Sequence, residues 1–495
     1  MIKAVAGTLF GSIALDRNHS SPLHTQLYNS IRELILDQVL MSEQRLPSTR
    51  VLAEELSISR TTVLYVYDRL TSEGLLYSKT GAGSFVSSIL RQRERTLEEI
   101  ANDTRRASMD SPPLSEAFVN MVKQLPVAVE FSEPQAFSTA IPAIDVFPML
   151  LWSRIIARHS RRSDLVRYNT SIGFPPLRRA IAAHLRTERG LECRPEQIYI
   201  TSGAHQAFRF LGEVLIDPGD KVWFENPGSR LARNSFNARG AKLIPVPVDA
   251  EGLDVEAAIR QSAEFRLVSV TPSHQQPCGS IMSLSRRLEL LNAADMANAW
   301  IIEDDFDGEF FYAKKPLPTL FSVARNKRVI YVGTFSKSMF PSLRLGYFVV
   351  PDTLIEKLNR SVNSFLPEVP LMIQAAAAEF IEKGHFATHI RRSKKVYVER
   401  YCTLAKAIQT ELGDYLELSE TATGFHALAL FKRNWDEREV ADKAKQANLL
   451  VRPLSNYCIE PLTNMRGIVL GFGCVTPDEI EKAIARLKRV FELID

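Results

Sequence analysis

Cysteine is scarce in this chain: five in 495 residues, at Cys193, Cys278, Cys402, Cys458 and Cys474. The number is odd and no two form a Cys-x-x-Cys pair. That excludes a disulfide framework and a structural zinc site, and leaves buried thiols acting as small hydrophobes. Long apolar runs are absent too; nothing approaches the roughly 18 residues a membrane-spanning helix needs. The N-terminus, Met1 to Phe10, has a short apolar stretch but lacks the longer core and small-residue cleavage site of a secretory leader. A cytoplasmic chain without a membrane partner is expected. An excess of one charge is also lacking: the net charge is +4, and between Ser21 and Val86 six Lys or Arg face seven Asp or Glu. Bulk charge therefore gives no nucleic-acid signal, and any such reading must rest on a motif. There is no internal repeat and no low-complexity tract.

What is present is an ordinary globular composition, 45% hydrophobic and 24% charged, over a length that calls for two or more domains. Three segments follow one another. Residues 20–88 read as helix, helix, helix, hairpin. Residues 89–125 are polar and charge-mixed, with Arg91-Gln92-Arg93-Glu94-Arg95 and Pro112-Pro113, and read as a linker with some helix near 96–105. Residues 126–495 alternate helical patterns with short β-branched runs. Examples are Gln197-Ile-Tyr-Ile-Thr, Lys221-Val-Trp-Phe, Leu267-Val-Ser-Val-Thr, Trp300-Ile-Ile-Glu and Val329-Ile-Tyr-Val-Gly. Strands separated by helices predict an α/β fold with a mainly parallel, doubly wound sheet and ligands at the strand C-terminal ends.

In the first segment a helix is predicted over about Leu23 to Leu40. A second runs from Pro47 or Ser48 to Leu56, and a third from the N-cap Ser59 to about Glu73, where Gly74 stops it. Strands are expected near Leu76–Lys79 and Ser84–Val86, with Gly81 and Gly83 in the turn. Val63, Val66, Tyr67 and Leu70 make one buried stripe on the third helix. Arg60, Thr61, Leu64 and Tyr65 then face outward. Ser59, Thr61, Thr62 and the helix N-terminus can hold phosphate, and Arg60 can read guanine or neutralise a phosphate. Leu46-Pro47-Ser48-Thr49-Arg50 precedes the second helix, and Lys79-Thr80-Gly81-Ala82-Gly83 forms a wing whose glycines let backbone approach phosphate. This region resembles the winged helix-turn-helix of the GntR family of bacterial repressors. The resemblance implies DNA contacts from Arg50, Ser59, Arg60, Thr61, Thr62, Lys79, Gly81 and Gly83. A lone arginine on a helix is usually just solvated; the ordered set is what carries the reading.

Five pieces follow in the third segment. Thr201-Ser202-Gly203-Ala204 joins a strand to a helix and can hold a phosphate through backbone amides and the Ser202 hydroxyl. Thr271-Pro-Ser-His-Gln-Gln276-Pro-Cys-Gly279 is a loop after a strand. Glu303-Asp304-Asp305-Phe306 closes another strand, and a carboxylate there can keep a pyridine nitrogen protonated. A metal is not expected, because no histidine lies nearby in sequence. Ser336-Lys337 follows a fourth strand, and a lone lysine is the residue that condenses with an aldehyde cofactor. Arg344 lies seven residues on. Arg466, near the C-terminal end, can clamp a carboxylate.

Singly these residues are weak signals. In this order they resemble the fold-type-I aminotransferases. With the winged helix in front, the chain is identified as similar to the MocR-type regulators of the GntR superfamily. The resemblance implies pyridoxal 5'-phosphate as cofactor, with Lys337 as its Schiff-base lysine and Asp304 at the pyridine nitrogen. Ser202, Gly203, Ala204, Ser336 and Arg344 would surround the phosphate, and Arg466 would meet an effector carboxylate. It implies a homodimer, a double-stranded DNA operator, and an amino compound or pyridoxal phosphate itself as effector. A smaller C-terminal α+β subdomain is also implied. Two positions depart from the family pattern. Phe306 stands where a tyrosine is usual and cannot donate to the cofactor's phenolic oxygen; Gln276 is the expected replacement. Ser229 follows Pro227-Gly228 where a stacking tyrosine is usual, a loss of about 0.5–1.5 kcal/mol. Two other readings remain: a sensor that has lost the cofactor, and a working aminotransferase with an accessory DNA-binding arm.

Overall fold

The computed structural model describes residues 10, 13–17, 19–88, 135–167, 172–312, 317–325, 327–419, 423–463 and 465–495, and a few positions between 114 and 122. The helix expected near 96–105 lies outside them. The chain divides into two compact units, Met1–Pro113 and Leu114–Asp495.

In the first unit, helices α1 (Leu23–Leu36), α2 (Thr49–Glu55) and α3 (Arg60–Ser72) precede strands β1 (Leu76–Lys79) and β2 (Gly83–Val86). Ser48 and Ser59 cap α2 and α3, each hydroxyl accepting a backbone N–H of the first turn. Helix α1 ends four residues before the expected Leu40. Gln38 takes a φ of 59°, and the Leu40 amide folds back onto the Leu34 carbonyl at 2.8 Å. Val63, Val66, Tyr67 and Leu70 pack with Leu27, Ile31 and Leu52 in one core, so the outward face of α3 is the one expected. β1 and β2 pair antiparallel from Leu76–Val86 to Lys79–Gly83. Arg45 bridges Phe85 as a short third strand of this wing, which the sequence pattern did not show.

The second unit is built on an eight-stranded sheet. Its strands are β3 (Ile198–Thr201), β4 (Lys221–Asn226), β5 (Lys242–Asp249), β6 (Gly252–Leu253), β7 (Leu267–Val270), β8 (Trp300–Asp305), β9 (Val329–Thr334) and β10 (Gly346–Val349). The order is β3-β10-β9-β8-β7-β4-β5-β6. The central run β5-β4-β7-β8-β9 is parallel; β10 is antiparallel to both β9 and β3. Side chains alternate between two cores: Leu267, Ile302 and Ile330 on one face, Val268, Ile301 and Val329 on the other. Burial on both faces is why these strands read as continuous apolar runs rather than alternating ones. A four-stranded antiparallel sheet follows, ordered β11 (Leu416–Leu418), β12 (His426–Phe431), β14 (Gly467–Gly471), β13 (Arg452–Pro453). It packs with the helix Pro477–Glu492, forming the smaller α+β subdomain.

One buried guanidinium fixes the C-terminal end of β8. Arg189, 5% exposed, closes the helix Pro175–Arg189. Its Nε donates to Asp305 Oδ2 at 2.9 Å, Nη1 to the Gly308 carbonyl at 3.0 Å, and Nη2 to Ser273 Oγ at 2.8 Å. Tyr331 OH donates to the same Asp305 oxygen at 2.5 Å. Burial works against the guanidinium charge, but the Asp305 carboxylate outweighs it and holds the Arg189 pKa above its ordinary value. Removing one partner of such a pair leaves a buried charge uncompensated. Arg189→Met should therefore lower stability by about 3–5 kcal/mol. All four tryptophans (Trp152, Trp223, Trp300, Trp435) lie in the second unit, so denaturant unfolding followed by tryptophan fluorescence reads this unit alone. A loss under about 1 kcal/mol would contradict the role given to Arg189.

Candidate functional site

The strands β4, β7, β8 and β9 all deliver their C-terminal ends to one edge of the sheet, where loops of an open α/β fold hold ligands. After β9, Thr334 caps a one-turn helix, Phe335–Ser338, accepting the Ser336 N–H at 3.2 Å. Phe335 and Ser338 are buried, so Ser336 and Lys337 are turned toward the loops, half-buried. Lys337 Nζ donates to the Ala140 carbonyl at 2.7 Å. Burial pushes its pKa from the ordinary 10.5 down to about 8; the Asp307 and Asp304 charges oppose this, and those of Arg452 and Arg344 add to it. An amine of lowered pKa on a fixed turn suits nucleophilic condensation.

Asp304 points to the same side of β8, 5% exposed. Its Oδ1 has no hydrogen-bond partner. Burial, then the charges of Asp305, Glu225 and Asp307, hold this carboxyl well above the usual range; Lys337 pulls the other way. A buried orphan acid of this kind is a place for a cationic or N–H donor from a ligand.

The residues expected to surround a phosphate are brought together by the ends of β3, β9 and β10. Gly203 has a φ of 83°, and a side-chain carbon there would sit 3.9 Å from both Arg344 Cζ and Ser336 Oγ. Gly203, Ser336 and Arg344 thus converge at the start of the helix Ala204–Leu215. Gly346 backs this turn so closely that a Cβ on it would meet Gly203 Cα at 2.8 Å. Ser202, half-buried, gives its N–H to the Gln206 side chain. Gln276 is half-buried in the loop after β7, its N–H donated to Thr271 Oγ1 at 3.2 Å. That loop hangs on Glu225, whose carboxylate accepts the Thr271 hydroxyl at 2.6 Å and the Gln275 amide at 3.2 Å.

Three groups were not read from the sequence. Phe306, 8% exposed, stacks on His274 at 5.7 Å between centroids, and His426 lies 4.8 Å from His274. His274 Nδ1 and Asp307 Oδ2 are 2.7 Å apart, and ligating atoms of His274, Asp307 and His426 fall within 4.8 Å of one another. The expectation of no nearby histidine thus fails in space: the fold brings two histidines beside the acids, from a loop and from β12. Burial, His274 and Lys337 hold the His426 pKa well below its usual value. The second group is an arginine. Arg466 is exposed at the edge of β14, and its charge acts on Asp436. The arginine from the small subdomain that acts on Lys337 is instead Arg452, half-buried on β13.

In the first unit, Arg50 and Arg60 are exposed; Arg50 pairs with Glu54 at 3.1 Å and Arg60 reaches Thr49 Oγ1 at 3.4 Å. Exposed pairs of this kind are worth at most about 1 kcal/mol and leave both side chains free to exchange partners. Ser59, Thr61 and Thr62 sit at the start of α3, with Ser59 Oγ accepting the Thr61 N–H at 3.1 Å. Lys79, Gly81 and Gly83 form the exposed wing tip, with φ of 78° and 104° at the glycines. Arg45 stands beside Gly83, its Nε 3.3 Å from where a Cβ would be; it is the third group missed, because only the bridge to Phe85 places it there.

Two family descriptions match the chain: aminotransferase class I and II over residues 148–487, and bacterial regulatory proteins of the gntR family over residues 23–86. The chain is 37% identical over 481 residues to the probable rhizopine catabolism regulatory protein MocR of Rhizobium meliloti, covering 97% of this chain and 96% of that one. It belongs to the MocR-type regulators of the GntR superfamily. The regulator is also 30% identical to the pyridoxine biosynthesis transcriptional regulator PdxR of Corynebacterium glutamicum, over 97% and 98% of the two chains. Among solved structures it resembles the Pyrococcus horikoshii kynurenine aminotransferase, with a TM-score of 0.68, 25% identity, and 82% and 99% of the two chains covered. The regulator is thus a winged helix-turn-helix joined to a fold-type-I aminotransferase domain. Among the described residues no helix is long and apolar enough to cross a membrane.

The depressed Lys337 pKa predicts its own reactivity. The amine is protonated and inert below about pH 8 and free above it. Competitive acetylation of cofactor-free protein should show Lys337 reactivity rising to half its maximum near pH 8. A midpoint near the ordinary lysine value would contradict the buried environment described.

Proposed function

We propose that the aminotransferase-like domain binds pyridoxal phosphate at Lys337 and reports an amino compound, or pyridoxal phosphate itself, to the winged helix. The observation that carries this reading is the pairing of a pKa-depressed Lys337 with the unpartnered, buried Asp304 Oδ1 beside the Gly203–Ser336–Arg344 cradle. Bound there, the cofactor supplies an aldehyde for primary amines and a ring that takes up electrons. Lys337 presents the amine. Asp304 receives the ring N–H, and the loss of its burial penalty on meeting a cation favours binding. Ser202, Gly203, Ala204, Ser336 and Arg344 hold the phosphate through hydroxyls, amides and the guanidinium. Gln276 would supply a donor to the phenolic oxygen in place of the hydroxyl that Phe306 lacks.

Arg452 is better placed than Arg466 to receive the effector's anionic end, because the charge of half-buried Arg452 reaches Lys337 whereas Arg466 is exposed and acts on Asp436. Arg50, Ser59, Arg60, Thr61, Thr62, Lys79, Gly81 and Gly83 form the DNA-contacting face, and a homodimer presents two such faces to repeated half-sites. The effector acts by binding one arrangement of the dimer better than another. A working aminotransferase is the second reading. Phe306 and Ser229 weigh against it, since neither a phenol nor a stacking ring stands at those positions.

Adding pyridoxal phosphate to the wild-type protein should produce a visible absorption band that borohydride removes. Lys337→Ala should lack the band while keeping its fold by circular dichroism. A folded wild type without the band would overturn the cofactor reading in favour of a sensor for another ligand.

A further inference from the structure

Resting on the reading that Lys337 holds the cofactor, we infer that His426 gives its ring N–H to the cofactor's phenolic oxygen, from the small subdomain. It thereby supplies the bond that a tyrosine in place of Phe306 would make, and Gln276 becomes a second donor to that oxygen rather than the sole one. His426 opens β12 and is 4% exposed, yet its Nε2 has no hydrogen-bond partner. A buried imidazole nitrogen left unpaired is costly until a ligand completes it. The ring lies 6.2 Å from Phe306 between centroids, tilted by 30°, and Phe306 follows the strand end that carries Asp304. The Lys337 charge also acts on His426. His426 is therefore bordered by the ring that replaces the phenol and by the lysine that condenses with the aldehyde. In pyridoxal phosphate the phenolic oxygen and the aldehyde sit on adjacent ring carbons.

The fold fixes this imidazole. Gly424, with a φ of 78°, donates its N–H to the Phe310 carbonyl at 3.2 Å. A side-chain carbon on Gly424 would collide with both the His274 ring and the Asp307 carboxylate. β12 thus enters directly over the His274–Asp307 pair, and His426 rests on His274 at 4.8 Å between centroids. The titratable groups facing it are His274 from the loop after β7, Asp307 from the turn after β8, and Lys337 after β9. Lys337 is itself within reach of Asp304, Asp307, Arg344 and Arg452. Burial, His274 and Lys337 hold the His426 pKa well below its usual value, so the ring is neutral near pH 7 and has one N–H to give. A neighbouring lysine charge suits a neutral donor to an anionic oxygen and works against a metal cation among His274, Asp307 and His426.

The test uses the full chain loaded with pyridoxal phosphate, with cofactor affinity and the pH dependence both read from the visible band. The Lys337 nitrogen shares a proton with the phenolic oxygen. A donor to that oxygen stabilises it once the shared proton leaves, and so lowers the pH midpoint of the colour change. His426→Phe should raise the midpoint by about one unit and weaken cofactor binding about ten-fold. His426→Gln restores an N–H donor of similar reach and should recover part of both. Phe306→Tyr added to the His426→Phe chain should bring the midpoint back toward the wild-type value, which a merely structural role for His426 would not allow. Phe306→Tyr alone should hardly move it, because the oxygen already has its donor. An unchanged midpoint in folded His426→Phe, or a double variant that stays displaced, would overturn the inference. So would a fall of about one unit in Phe306→Tyr alone, a readout that does not depend on His426→Phe folding. These outcomes leave the cofactor reading standing, whereas a wild type without the band removes that reading itself.

Discussion

A guanidinium buried between a strand end and two loops sets the geometry on which the candidate site depends. Arg189 reaches Asp305, Gly308 and Ser273 at once, so the end of β8, the turn after it and the loop after β7 move as one piece. The strand's alternation does the rest. With Asp305 committed to Arg189 on one face, Asp304 and Phe306 must point to the other, where Lys337 stands. Glu303 shows the same logic one residue earlier: its carboxylate accepts the Leu320 and Phe321 amides at 2.8 and 2.9 Å, away from Lys337. Three consecutive acids thus have three fates: Glu303 is taken by backbone amides, Asp305 Oδ2 by Arg189 and Tyr331, and Asp304 is left beside Lys337 with an unpartnered Oδ1.

That arrangement concentrates negative charge under a lysine. Asp304, Asp305, Asp307 and Glu225 lie within electrostatic reach of one another. Burial raises Asp304, Asp307 and Glu225 toward neutrality, Glu225 to about 7. The Lys337 amine is lowered by the same burial. Each group is thus shifted toward its uncharged form without a ligand. A ligand bearing a ring N–H, a phosphate and an amine-reactive carbon would meet a complementary set of groups already oriented by the fold.

Much of this was legible in the sequence because it is local. Ser59 as a cap, the buried stripe of α3, the glycine wing and five parallel strands each depend on residues within one turn or one strand. The winged helix and the aminotransferase fold, with its small subdomain, were read from motifs in order along the chain. What escaped depends on contacts far apart in sequence. The antiparallel strand β10 inside a parallel sheet has the same apolar look as its neighbours. Arg189 was not singled out in the sequence, since its partners Ser273, Asp305 and Gly308 lie 84 to 119 positions away. His274 and His426 come together from a loop and a strand 152 positions apart (426 less 274). Arg466 was read from its place before the Gly467–Gly471 strand, and Arg452 was not considered; the register of β13 on β14, Arg452 opposite Val469, is what brings Arg452 into view.

Under the proposed function, this chain is a regulator in which the state of the Lys337 site changes the affinity of the winged helix for DNA. By linkage, a ligand that favours one arrangement must alter operator affinity. The most direct measurement takes a genomic fragment selected by the protein itself and titrates it with wild type and Lys337→Ala, each with and without pyridoxal phosphate, at fixed salt. The account predicts that the cofactor shifts wild-type affinity by about five-fold or more and leaves the variant unmoved. Identical affinities with and without cofactor in the wild type, with the cofactor shown to be bound, would contradict it.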